Sequence, residues 1–478
     1  MARGRRKVAI LLHVTGIVAF SASATNQFAP PESVRVARAA LRADRVDLAM
    51  RQALAARLAD PSNGAAQSLL GDIAYRKADF DAAESFYRAA VSVDPACARA
   101  IWGLGRIEEL NFRRGAARDY FATAFRLDPR DPQIIRSYGS VIPNRDSQTI
   151  LLKNYIAVGS DAPDDLESAL GRIHLHQQLR SREIGILAGP YRRYALPMTP
   201  HYPVSAHPAG MLLKVSINGG SPLRLIFDTG AGGILIRSKA AEKLGLEFLS
   251  ASLVRGLGAR EPTRARVALA QSLKIDDLSM RNCLIEVSDS APVGDADGII
   301  GAILFQRFLI RFNAGEKLLE LLPFPSEEVD SFTQEWPWIG RDRVVTAGME
   351  RFEPLRRLGH LLLVRAGVNG KRFGHFILDT GASFSSLSYD IAGRQAASHR
   401  DLPIYGLNGR VDANRISPVQ FHFAREPIVD SDVIALDLRE VSRREGVEIS
   451  GLIGYPALSR GVLTINYRDG LIDIADRK

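Results

Sequence analysis

Leu225-Ile226-Phe227-Asp228-Thr229-Gly230-Ala231 decides the reading of this chain, because it returns 151 residues later as Phe376-Ile377-Leu378-Asp379-Thr380-Gly381-Ala382. In both copies an apolar run typical of a buried strand stops at a carboxylate, and Thr, Gly and Ala follow. A charge delivered to the end of a buried strand is costly unless it is paired or used, and Gly after the Thr suits a tight turn. Two such loops supply a pair of carboxylates.

The flanks repeat as well. Asn218-Gly219 begins ten residues before Asp228, and Asn369-Gly370 begins ten before Asp379. Each is a hairpin turn signal behind an apolar strand. Downstream, Gly298-Ile299-Ile300-Gly301 answers Gly451-Leu452-Ile453-Gly454, and Phe312-Asn313 answers Ile465-Asn466, both at an offset of 153. The chain therefore holds an internal duplication of a unit of roughly 115 residues, a size suited to a β-rich lobe.

An Asp-Thr-Gly-Ala loop followed some seventy residues later by two apolar residues and a Gly resembles the aspartic peptidase family, with the Ala closer to its retropepsin-like branch. The resemblance covers a little over half the chain. It implies a bilobal, mostly antiparallel β fold in which the apolar-apolar-Gly strand threads beside the catalytic loop. Both lobes stand in one chain, so the match is to a pseudo-dimer competent as a monomer. By the same resemblance Asp228 and Asp379 are the catalytic pair, Thr229 and Thr380 hydrogen-bond across the lobe interface, and Gly230 and Gly381 let the loops approach. Gly256-Leu257-Gly258 and Tyr405-Gly406 stand where the family has a flap over its substrate. Read by themselves they are ordinary hairpin tips, and Tyr405 is equally a core aromatic. One departure concerns packing: Ala302 and Tyr455 stand where retroviral members follow the Gly with a polar anchor.

Two neighbouring carboxylates cannot both ionise easily, so such a pair shares a proton and offers an acid and a base together. That chemistry hydrolyses a polypeptide with an activated water and needs no metal and no cofactor. Gly232 follows the first motif and Ser383 the second, so the halves need not be equivalent. Other hydrolytic schemes lack their motifs: there is no nucleophile elbow and no His-Glu-x-x-His. Two readings remain, an exported aspartic endopeptidase and a non-catalytic protein that captures peptides with the same groove.

Residues 30–165 are of another kind, rich in Ala and Arg. Asp60-Pro61, Asp94-Pro95 and Asp128-Pro129 recur every thirty-four residues, and Ala83 and Ala117, Tyr87 and Phe121, Ala90 and Ala124 keep that register. The pattern resembles tetratricopeptide repeats: Ala where paired helices approach, an aromatic filling the groove, Asp-Pro ending the second helix. Units 64–97 and 98–131 carry it fully, and 30–63 is a degenerate first unit with Ala53 in the aromatic's place. Residues 132–189 read as further helix, amphipathic over 166–179, capping the array. The array is either a packing and spacer domain or a site for a protein partner. Deleting residues 25–189 distinguishes them: a recruiting array predicts a larger loss on a native protein target than on a short peptide, a structural one equal losses.

The expected plan is thus multidomain α plus all-β, with a signal peptide at 1–24, the helical domain at 30–189 and a Pro-rich linker at 190–208. Lobe one follows at 209–323, an inter-lobe linker with Trp336-Pro337-Trp338 at 324–357, and lobe two at 358–476. The signal peptide reading rests on Arg3, Arg5, Arg6 and Lys7, the apolar run 8–20 and the small-residue site Ala22-Ser23-Ala24. It implies an exported protein, periplasmic or secreted, with no stable membrane insertion once cleaved. Cys97 and Cys283 fall in different domains and read as unbridged, buried small residues. A net charge of +9 is spread along the chain without a nucleic-acid motif, so no nucleic-acid partner is expected.

Overall fold

In a computed structural model, residues 32–159, 163–202, 208–256, 261–289, 295–324, 348–370, 372–393, 401–406, 409–423 and 427–475 are described. The expected signal peptide and the Trp336-Pro337-Trp338 stretch lie outside them. The fold class matches the reading: a helical array precedes a β-rich region.

Among the described residues the array runs α1 (Glu32–Arg42), α2 (Val46–Ala59), α3 (Gly64–Arg76), α4 (Phe80–Val93), α5 (Ala98–Leu110), α6 (Arg114–Leu127), α7 (Pro132–Val141), α8 (Arg145–Val158) and α9 (Pro163–Leu179). The thirty-four-residue register governs its turns. Asp44, Ala78 and Phe112 each sit at positive φ (55°, 59° and 62°) in the tight turn inside a helix pair. Asp60, Asp94 and Asp128 end the second helices, donating N–H groups to Ala56, Ala90 and Ala124, and the Pro after each forbids continuation. Tyr87 fills the groove between α3 and α5 so tightly that a Cβ at Gly71 or Gly103 would come within 2.5 or 2.4 Å of its ring. In the degenerate first pair Ala53 takes that place and is fully buried.

The two lobes follow one plan. Hairpin Met211–Ile217 with Leu223–Asp228 turns at Asn218-Gly219, and hairpin Leu361–Val368 with Arg372–Asp379 turns at Asn369-Gly370, all four turn residues at positive φ. Each aspartate strand then pairs in parallel with its Gly-bounded strand, Gly298–Gly301 or Gly451–Gly454, which puts Asp228 opposite Gly301 and Asp379 opposite Gly454. The glycines are required by close approach: a Cβ at 298, 301, 451 or 454 would stand 2.2, 2.4, 2.0 or 2.5 Å from a backbone carbonyl oxygen. The lobes join where Leu309–Asn313 pairs antiparallel with Val462–Asn466. Tyr455 adds packing there, its hydroxyl directed at Met211 Sδ (3.4 Å) and its ring edge-on to Phe312.

Composition misled in one place. The Pro-rich stretch 190–208, expected as a linker, holds strand Tyr194–Pro200, which pairs with Leu318–Leu322 on one side and Met211–Ile217 on the other. Alternation decides it, since Tyr194, Leu196 and Met198 are buried and Pro197 faces outward. Short strands also occupy the expected inter-lobe linker, Glu353–Pro354 on Leu471–Ala475 and Arg356–Leu358 on Leu361–Val368. Ile186–Leu187 already belongs to the lobe-one sheet, through Leu278–Ser288. The cysteines are free; Cys283 is buried as expected, whereas Cys97 is only half-buried, at the start of α5.

Candidate active site

The ends of the two aspartate strands meet at the floor of a cleft of about 1430 Å³ between the lobes. Four hydrogen bonds lock them together. The Thr229 N–H donates to Thr380 Oγ1 and the Thr380 N–H to Thr229 Oγ1, both at 3.0 Å, while the hydroxyls donate onward to the Leu378 carbonyl (2.8 Å) and the Phe227 carbonyl (2.9 Å). Both threonines are buried, so each bond is shielded from water. Thr380→Val is expected to leave the Thr229 N–H and the Phe227 carbonyl without partners, at a cost of about 2–5 kcal/mol. Thr380→Ser keeps the hydroxyl and should restore most of the lost melting temperature; equal Tm values for wild type and the Val variant contradict this role.

The lock brings the two carboxyl groups into hydrogen-bond contact with each other. Gly230 N–H donates to Asp228 Oδ1 at 2.6 Å; Gly381 and Ala382 N–H groups donate to Asp379 Oδ1 at 3.0 and 2.9 Å. A Cβ at Gly381 would lie 2.6 Å from the Asp228 carboxyl carbon, so a side chain there would displace the pair. Burial at the cleft floor, then the charge of Asp379, pushes the Asp228 carboxyl well above the ordinary carboxylate range. Burial raises Asp379 too, offset by the hydrogen bonds it accepts from Asp228 and the two amides. The pair therefore retains a proton at pH values where free carboxylates have lost theirs.

That asymmetry has a consequence for stability. Asp228 titrates from 3.8 in a free chain to a raised value in the fold, so its stabilising share is complete below about pH 4 and is lost as pH rises through the folded value. Asp228→Asn removes the titration. Its Tm should exceed that of wild type by a few degrees near pH 7 and match it near pH 3; a wild-type advantage at neutral pH contradicts the shared proton.

The flap positions are only partly described. Gly256 is buried against the cleft at the end of hairpin Glu247–Val254 with Thr263–Ile275; Leu257 and Gly258 lie outside the described residues. Tyr405 and Gly406 end strand Asp401–Gly406, paired opposite Arg410 and Gly409, and the Tyr405 side chain lies outside the described set. Arg444 of lobe two donates to the Gly256 carbonyl at 3.4 Å, tying the lobe-one tip to the opposite wall.

Sequence reasoning missed one neighbour of the pair. His360 hydrogen-bonds the Gly230 carbonyl from the lobe-two side, and Gly232 leaves it room, a Cβ there lying 3.2 Å from its ring. The unlike residues Gly232 and Ser383 were the visible signal that the loops differ, but nothing in the sequence linked residue 360 to either.

A family model for aspartyl proteases matches residues 213–303, which covers the first Asp-Thr-Gly loop and its Gly-bounded strand. The chain thus contains an aspartyl-protease-like region. No curated protein matches. Among solved structures, a mutant of the O-GlcNAc transferase of Thermobaculum terrenum aligns with 19% identity over 26% of this chain and 25% of that chain, with a TM-score of 0.24.

Proposed function

We propose that the protein is an exported aspartic endopeptidase, active as a single chain. The observation that carries this reading is the hydrogen-bonded Asp228–Asp379 pair at the floor of a cleft large enough for an extended peptide. Asp379, whose Oδ1 accepts from both the Gly381 and the Ala382 N–H groups, acts as the base that draws a proton from the attacking water. Asp228, whose proton is held more firmly, donates a hydrogen bond to the developing oxyanion. Transfer of the proton taken up by Asp379 to the amine nitrogen, as the C–N bond breaks, completes hydrolysis with no covalent intermediate.

The flap hairpins would close over the bound peptide, and export is proposed from the basic and apolar amino-terminal stretch. The test is incubation of the chain with a mixed peptide digest from about pH 3 to 7, reading new termini by mass spectrometry. Cleavage that disappears in Asp228→Asn supports the reading. Saturable peptide binding without cleavage at any pH would instead favour the capture protein.

A further inference from the structure

The last helix of the array is built into the cleft. α9 lines it with Ser168, Gly171, Arg172 and Leu175, facing Ser252 on the flap strand Glu247–Val254 and Glu286 on the strand behind it. Helix and strand approach closely at Gly171: Ser250 Oγ donates to the Gly171 carbonyl at 2.8 Å, and a Cβ at Gly171 would lie 2.8 Å from the Ala251 carbonyl oxygen. Leu179, Leu249 and Leu269 close a small apolar core beside this contact, and Arg182 grips both oxygens of Glu247 at 2.6 and 3.0 Å. The wall is therefore fixed.

Among the described residues the arginines of the cleft are matched with one exception. The acidic residues of α9 each face an arginine from elsewhere: Asp164 faces Arg255, Asp165 faces Arg136 at 3.2 Å, and Glu167 faces Arg264 at 3.9 Å. The other cleft arginines are engaged too, Arg415 with Asp432 at 2.6 Å and Arg444 with Glu445 at 2.9 Å. Glu286 accepts from Ser252 Oγ at 2.7 Å, and burial lifts its carboxyl above the ordinary range. Arg172, a residue of the cleft wall, is left with no carboxylate partner among the described residues. A planar fork of donors in a partly enclosed groove suits one ligand chemistry above others, a carboxylate.

We propose that Arg172 is a specificity-determining residue that receives an Asp or Glu side chain of the peptide, so that the helical array supplies one subsite of the groove. The proposal rests on the peptidase reading for its substrate class, and its test separates the two. Full-length wild type and Arg172→Glu are incubated with a digested proteome, then with synthetic Glu, Gln and Lys versions of the best-cleaved sequence. Wild type should favour an acidic residue at one fixed distance from the cut, with kcat/KM about tenfold higher for the Glu than for the Gln peptide. Arg172→Glu should reverse the order and favour Lys, a gain that a misfolded protein cannot produce. No acidic preference in wild type, or an unchanged one in the variant, overturns the assignment. If wild type cleaves nothing, hydrolysis fails by itself, and fluorescein-labelled decapeptide pools with a fixed Glu, Gln or Lys replace the cleavage assay. Anisotropy should then show the same preference and the same reversal, and equal binding of the pools overturns the subsite.

Discussion

Asp228→Asn and Asp379→Asn should each lose about 10³-fold or more of the peptide-cleaving activity, because either change removes one half of a shared-proton pair and members of such a unit do not contribute additively. The loss is chemical. An amide keeps the shape of the carboxyl group and an oxygen that can accept from the Gly230 or Gly381 N–H, so the loops should stay in place. The threonine lock joins residues 151 positions apart within one chain, which makes the pair an intramolecular object. Mixing the two variants should therefore restore nothing, and wild-type specific activity should hold constant on dilution. Residual activity above about a tenth of wild type in one variant, or recovery on mixing, would sink the single-chain dyad.

What the sequence made legible was whatever depends on local chemistry repeated at fixed spacing. The Asp-Thr-Gly loops, their Asn-Gly hairpins and their Gly-bounded strands are each set by a turn or a close backbone approach that few residues tolerate, and each occurs twice. The helix pairs were legible for the same reason, through Asp-Pro and Ala at a constant period. Strand Tyr194–Pro200 was not, because its prolines announced a linker while its alternate buried residues had no visible partner strand. Likewise the apolar face of 166–179 marked a helix but not what it would cover. That choice depends on contacts such as Gly171 on Ala251, eighty residues away, which no local pattern specifies. Arg172 and His360 were hidden by the same limit, since their roles come from which surfaces meet.

The same contacts revise the expectation for removing residues 25–189. The array is not a detachable module: Tyr75, Phe80, Ala83, Leu104 and Ile107 share one buried apolar cluster with Leu363, Ile377, Val441 and Leu452 of lobe two. Ile377 lies on the strand that delivers Asp379, and the Phe80 ring packs edge-on to His375 on that strand with centroids 4.9 Å apart. Backbone joins backbone as well, the Glu448 N–H donating to the Arg76 carbonyl at 2.8 Å. Deletion would open this cluster to water and remove the α9 wall at the other end, so peptide and native-protein cleavage should fall together, with little folded protein recovered. A gentler probe is Phe80→Ala, which empties a buried aromatic site and should cost about 3–5 kcal/mol. Leu58→Ala, on a side chain 79% exposed, should leave the Tm unchanged. Because Phe80 supports the Asp379 strand, its loss should lower kcat for a short peptide that never reaches the array's outer surface. A 190–478 fragment that folds and cleaves such a peptide within tenfold of the full chain would overturn the shared core and return the helices to a recruiting role.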